Sequence, residues 1–257
     1  MTETLIPSTI SSIYLTGSHA FGTAVRTSDV DLIFVGKPNQ LNDKMKAKIF
    51  SLSQLSPLIC PLRLDIKGYQ QTELVELNSV IGQDFSPMKA LLHLNAVTVK
   101  IASRLIYGED IRPQICLPSM TQFINNISDF TTWLIGTLRG KNTPLRFPLE
   151  YPNPEASFYG YIIDEKLEQL VYIVGLIAST RIAQSAGKYV THKHDCPRLY
   201  RQYVADEFSD FVTKVFHWCR DQWEYHIPDN PTDRTRLNEI CQHTLNFENQ
   251  FLINTQS

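Results

Sequence analysis

Apolar positions change their spacing along this chain, and the change marks out its parts. "SSIYLTG" and "DVDLIFVG" are short apolar runs that read as strands, the first closed by Gly17 and the second by Gly36, Pro38 and Asn39. "QLNDKMKAKIFSLSQL" spaces its apolar residues as a helix does, and "PLRLDIKGY" alternates as a third strand. A strand, short helix, strand, helix, strand order predicts a small mixed β-sheet with helices on one face. Ser86 is a candidate N-cap and Pro87 suits a first helical turn, opening an apolar-periodic helix expected to run to Tyr107 and stop at Gly108.

Beyond that point the sequence offers no further convincing strand. "EDIRPQICLPSM", with Pro113 and Pro118, reads as a linker, and everything after Ser119 reads as helices with breaks at Gly140 to Pro154, Ser185 to Pro197 and Ile227 to Pro231. The first break, "GKNTPLRFPLEYPNP", is proline-rich and reads as an ordered loop over a cleft. The expected fold class is α+β: a sheet-based domain over residues 1–115, followed by an all-α helical bundle over 119–257. "LVYIVGLIA", Leu170 to Ala178, is about half the ~20 residues a membrane span needs, so it reads as a helix buried in protein and no membrane partner is expected.

Composition narrows the picture only modestly. With 43% apolar residues, 19% charged residues and a formal charge of −2 in 257 residues, the chain is an ordinary globular protein, and net charge neither implies nor excludes nucleic acid. Cys60, Cys116, Cys196, Cys219 and Cys241 are scattered without a CxxC pair and are odd in number, which favours reduced thiols. "MTETLIPSTISS" lacks the basic and apolar regions of a secretory signal, so a cytoplasmic location is expected.

The candidate chemistry lies in "YLTGSHAFGTAVRTSDVDLIFV". Residues i and i+2 on a strand share a face, so Asp29 and Asp31 point the same way, about 7 Å apart along the chain. Two carboxylates that close repel unless a cation lies between them, and Mg²⁺ characteristically takes one or two carboxylates together with substrate phosphates. Gly17 and Ser18 follow a strand and open a short helix, where bare backbone N–H groups and a hydroxyl suit phosphate oxygens. Together they describe a nucleoside triphosphate site. Asp65 in "LRLDIKG" supplies a third acid from a strand that otherwise reads as buried, either completing a two-metal clamp or taking a proton from an attacking hydroxyl. A structural salt bridge to Arg63 or Lys67 is not expected, both being assigned to the opposite face of the strand.

At these residues the sequence resembles a known family. "GSHAFGTAVRTSDVDL" is similar to the G-S-x-n-G-T-x-n-S-D-x-D-L signature of the DNA polymerase β-type nucleotidyltransferase superfamily, with Asp65 in place of its third acid. "STRIAQSAGKYVTHKHDC" further resembles a stretch of the aminoglycoside nucleotidyltransferases, which are adenylyltransferases. That likeness implies that Arg181 and Lys193 bind the nucleotide phosphates and that the helical domain closes the active-site cleft. It also implies two Mg²⁺ ions held by Asp29, Asp31 and Asp65, ATP as donor, and a hydroxyl-bearing acceptor, a small molecule being favoured over RNA or protein. The chain departs from that family after the stretch, with "CPRLYRQYVADEF" replacing an Ala-Trp-Ala pattern, so the residues lining an aminoglycoside are not transferable; Glu150, Glu155 and Asp164 are the acids available for a cationic acceptor.

Other features carry less. "HKHD", with His192 and His194 at i, i+2, suits no common zinc spacing. His19 reads as filler within the phosphate turn, and Phe216, Trp218, Trp223 and Tyr225 read as core. Arg220 and His226 fit the R-x(4–6)-H spacing of HEPN-type ribonucleases, whose helical domains accompany minimal nucleotidyltransferases. They supply the rival reading, a toxin-antitoxin module acting on RNA or protein.

Overall fold

The computed structural model describes residues 8–59, 62–77, 86–138, 158–162, 166–190 and 192–256. The chain divides into two compact units, Met1–Phe123 and Ile124–Ser257.

The first unit is built on a four-stranded mixed sheet of order β3-β2-β1-β4. β1 (Ile10–Thr16) pairs antiparallel with both β2 (Val30–Gly36) and β4 (Arg104–Gly108), whereas β3 (Leu64–Gln70) runs parallel to β2. Period-2 alternation sorts the apolar side chains into two layers. Leu32, Phe34 and Ile66 pack with Met45 and Ile49 of α2 (Asp43–Ile59) and with Leu41 just before it. Ile33, Val35 and Tyr14 face Leu74 of α3 (Gln71–Val75) and Leu92, Ala96 and Val99 of α4 (Pro87–Ile101). Helices therefore cover both faces of the sheet rather than one, because strands apolar on successive residues need cover on each side.

The helix expected to reach Tyr107 ends at Ile101, and residues 104–108 form β4. Periodicity alone could not separate these states. "RLIYG" gains strand conformation from a partner distant in sequence, β1, whose edge would otherwise leave its backbone groups unpaired. Ser86 and Pro87 do open α4, as N-cap and first-turn residues. The buried Tyr14 hydroxyl anchors the segment that follows β4: it accepts from the Ile111 N–H at 2.8 Å and donates to Asp110 Oδ1 at 3.2 Å.

The second unit is helical: α5 (Met120–Leu138, entering from the first unit), α6 (Glu168–Ala186), α7 (Cys196–Tyr203), α8 (Ser209–Val215), continued by a π-turn over Phe216–Gln222, and α9 (Pro231–Gln256). The apolar run at 170–178 is the centre of α6 and is almost entirely enclosed, packed with Tyr200, Val212, Phe216, Leu237 and Phe247 in one core. Phe216 is buried, and Trp218, Trp223 and Tyr225 lie against that core. Gly187 stops α6 in the left-handed conformation. The proline-rich loop at 140–154 lies outside the described residues, as does Cys60. Cys116, Cys196, Cys219 and Cys241 are free thiols. No helix among the described residues is long and apolar enough to cross a membrane.

Candidate active site

The site begins where β1 ends. The chain leaves Thr16 into Gly17, whose φ of +66° belongs to the left-handed region, and turns into the five-residue α1 (Gly17–Phe21). Glycine is required here by space as well as conformation: a Cβ at residue 17 would lie 2.0 Å from Asp31 Oδ2. Antiparallel pairing of β1 with β2 sets Thr16 opposite Asp31, which brings the turn onto that carboxylate. The loop returning to β2 is braced by His19, whose Nε2–H donates to the Ser28 carbonyl at 3.3 Å, and by the buried Ser28 Oγ, which accepts from the Val25 N–H at 3.0 Å. His19 thus has a scaffolding role, locking the segment that delivers Asp29.

Three carboxylates converge beside this turn. β3 lies parallel to β2 in a register that sets Asp65 directly opposite Asp31, and the Val30 N–H donates to the Arg63 carbonyl at 2.8 Å. Asp29, Asp31 and Asp65 are all half-buried, and one oxygen from each lies within 4.8 Å of the others. At such a separation each pair repels by roughly 3 kcal/mol for an effective dielectric near 20. Among the described residues this is the only group of three or more His, Cys, Asp or Glu arranged to hold a metal ion. An all-oxygen, all-carboxylate donor set suits a hard cation such as Mg²⁺ and not a softer ion.

Two cations offset part of this repulsion. Arg63 Nη2 lies 3.0 Å from Asp29 Oδ2, and Lys67 Nζ lies 2.7 Å from Asp65 Oδ2. The expectation that Arg63 and Lys67 face away from Asp65 is therefore wrong for Lys67, which pairs with it. The reason is the strand period of two: Asp65 and Lys67, two residues apart within β3, share one of its faces. An open depression of about 430 Å³ adjoins the acids, lined by Asp29, Ser53, Gln54, Arg63, Leu64 and Asp65. Farther along β3, burial pushes the Tyr69 hydroxyl up to about 12, reinforced by the charges of Glu73 and Asp65 and opposed by a 2.7 Å bond from Asn95 Nδ2. Tyr69 therefore stays neutral at any ordinary pH.

Arg181 and Lys193 belong to the helical unit. Arg181, on α6, pairs with Asp206 at 2.8 Å and donates to the Tyr200 hydroxyl at 2.8 Å, and that hydroxyl donates to Asp206 at 3.0 Å. Lys193 holds its Nζ 4.5 Å from the centre of the Tyr172 ring. Arg220 is buried, paired with Asp221 and donating to His194 Nδ1 at 3.3 Å, whereas His226 is exposed and its N–H donates to the Trp223 carbonyl. Spacing in sequence does not give these two a common environment. Glu150, Glu155 and Asp164 lie outside the described residues.

This chain resembles known proteins in part of its sequence and in its fold. Residues 3–81 match the family model of the nucleotidyltransferase domain, a transferase domain, and the matched segment spans Gly17, Asp29, Asp31 and Asp65. No curated protein matches the chain in sequence. In three dimensions the chain is similar to a spectinomycin adenyltransferase from Enterococcus faecialis solved with ATP and spectinomycin. The TM-score is 0.54 and the identity 14%, over 93% of this chain and 91% of that one. The likeness establishes a shared fold, a nucleotidyltransferase sheet followed by a helical region.

Proposed function

We propose that this protein is a Mg²⁺-dependent nucleotidyltransferase that moves a nucleoside monophosphate, AMP from ATP, onto a hydroxyl of a small-molecule acceptor. The observation that carries the reading is the convergence of Asp29, Asp31 and Asp65 beside a glycine turn, inside a segment that matches the nucleotidyltransferase domain. The fold it shares with an enzyme solved with ATP and spectinomycin supports the choice of donor and acceptor.

In this reading Asp29, Asp31 and Asp65 would hold two divalent ions, which would neutralise charge on the triphosphate. Gly17 and Ser18 offer backbone N–H groups and a hydroxyl to phosphate oxygens. The acceptor oxygen attacks the α-phosphorus, the bond to the bridging oxygen breaks and pyrophosphate leaves. The acceptor proton passes to Asp65 or to solvent. The phosphate-binding role of Arg181 and Lys193 rests on the family resemblance, and both side chains already have partners within their own unit. The free thiols support a reducing, cytoplasmic setting.

The test is direct. Full-length protein is incubated with radiolabelled ATP, Mg²⁺ and separate pools of aminoglycosides, RNA and protein, and both pyrophosphate release and label uptake are followed. Asp31→Asn and Asp65→Asn should each reduce release by at least about 10²-fold, because removing one partner of a charge-stabilising group typically costs that much. Release at the wild-type rate by Asp31→Asn would refute the proposal. Label entering the RNA or protein pool would replace the small-molecule acceptor.

A further inference from the structure

The pairs Arg63–Asp29 and Lys67–Asp65 involve two of the acids that the proposed metal set requires. Arg63 binds Asp29 through Oδ2 at 3.0 Å, and Lys67 binds Asp65 through Oδ2 at 2.7 Å, so Asp29 and Asp65 each have a cation in place. Lys67 lies on β3 two residues after Asp65 and shares its face, and Arg63 immediately precedes that strand. Arg63 is the more exposed of the two, with 54% of its side chain open to solvent, whereas Lys67 is 32% exposed.

Charge sets the two occupancies against each other. Each cation paired with one of these acids lowers the negative charge that attracts a divalent ion. Once divalent ions take the carboxylates, Arg63 and Lys67 find themselves beside like charge, and their pairs with Asp29 and Asp65 weaken. The anion then available is the triphosphate. A planar guanidinium and an ammonium held beside one group of acids fit the triphosphate's oxygens, the first as a two-pronged donor and the second as a point charge.

We propose that Arg63 and Lys67 are exchangeable counter-ions, holding Asp29 and Asp65 while the site lacks metal and turning to the phosphates of the nucleotide when divalent ions take those carboxylates. This inference rests on the nucleotidyltransferase reading above. It makes both cations positioning residues that couple metal entry to nucleotide entry: metal alone binds against them, and metal with nucleotide binds with their help.

The coupling has an unusual sign. Arg63→Gln and Lys67→Met should each bind Mn²⁺ more tightly than wild type in the absence of nucleotide, by about fivefold or more, since a competing unit charge near a divalent site is removed. Each should also bind ATP in the presence of Mn²⁺ more weakly, by about the same factor. Mn²⁺ binding to the full chain is read by the loss of its free electron paramagnetic resonance signal, and ATP binding by calorimetry, so neither measurement depends on turnover. Far-UV circular dichroism confirms folding, and the exposed Arg63 position supplies a variant little coupled to the core.

Unchanged or weaker Mn²⁺ binding by both variants would overturn the exchange while leaving the metal site intact. Failure of the wild-type chain to bind Mn²⁺, or binding undiminished in Asp31→Asn, would overturn the nucleotidyltransferase reading and this inference with it. Tighter Mn²⁺ binding with unaltered ATP affinity would overturn the hand-over to phosphate.

Discussion

Replacing Gly17 by alanine tests the site at its most constrained atom, and Gly22 supplies a matched control four residues beyond Ser18. Both glycines have left-handed backbone, with φ of +66° and +69°. An L-residue in that conformation costs roughly 1–2 kcal/mol, so both variants should lose about that much stability. They differ in what the new methyl meets. At residue 22 nothing lies within 4 Å, whereas at residue 17 the Cβ would be 2.0 Å from Asp31 Oδ2 and 2.9 Å from its Cγ. The carboxylate must therefore retreat by about 1 Å or more, and displacements of that size cost on the order of 10²-fold in rate. Gly17→Ala should lose roughly a hundredfold in pyrophosphate release, and Gly22→Ala less than about threefold. Stability should be followed by far-UV ellipticity in urea. Trp133, Trp218 and Trp223, the chain's three tryptophans, all lie in the second unit, so their fluorescence would report on the wrong part of the chain. Equal rates for Gly17→Ala and Gly22→Ala would refute the argument that Asp31 is seated against residue 17 in the working enzyme.

Two further outcomes follow from local environments. Hydrogen bonds from Arg112 hold the Asp110 carboxyl down at about 2, below its ordinary 3.8, so the contact stabilises the folded chain above the ordinary value and is lost as pH falls through about 2. Asp110→Asn should lower stability at neutral pH by at most about 1 kcal/mol, since the pair is partly solvated, with the difference from wild type shrinking between about pH 4 and 2; a difference independent of pH would count against the assignment. Burial pushes the Cys196 thiol up to about 12, while Cys116 is exposed. N-ethylmaleimide at about pH 7.5 should modify Cys116 in the native chain and spare Cys196 until denaturant is added, as read by peptide mass mapping; equal rates at the two thiols would contradict the packing around α6.

The acids were legible in the sequence because their message is local. The i, i+2 spacing keeps Asp29, which immediately precedes β2, and Asp31, within it, at one site, and Gly17 marks a turn that no side chain could occupy. Asp65 was legible as a buried-strand carboxylate, but its position opposite Asp31 depends on the parallel register of β3, which no local pattern encodes. The strand at 104–108 was hidden because its conformation is set by β1, some ninety residues earlier in the chain. Lys67 could have been found: the rule that aligned Asp29 with Asp31 applies equally to residues 65 and 67. Partners such as Asp206 and Tyr200 for Arg181 were not available from spacing, since they arrive on a segment after α7 and on α7 itself.

Gly68 carries a consequence for how the chain finds this arrangement. Slipping β3 by two residues against β2 would keep its inside and outside faces, and it would set Arg63 or Lys67 opposite Asp31, a pairing of opposite charges that electrostatics alone would reward. Such a misaligned chain would look stable and be inert. What opposes it is volume: a Cβ on Gly68 would already stand in van der Waals contact with Ile49 at 3.6 Å and Leu41 at 3.7 Å, so the longer side chain of Ile66 or Gln70 brought to that place would have to find room against both. The smallest residue of the strand thus guards the alignment of the largest charges beside it.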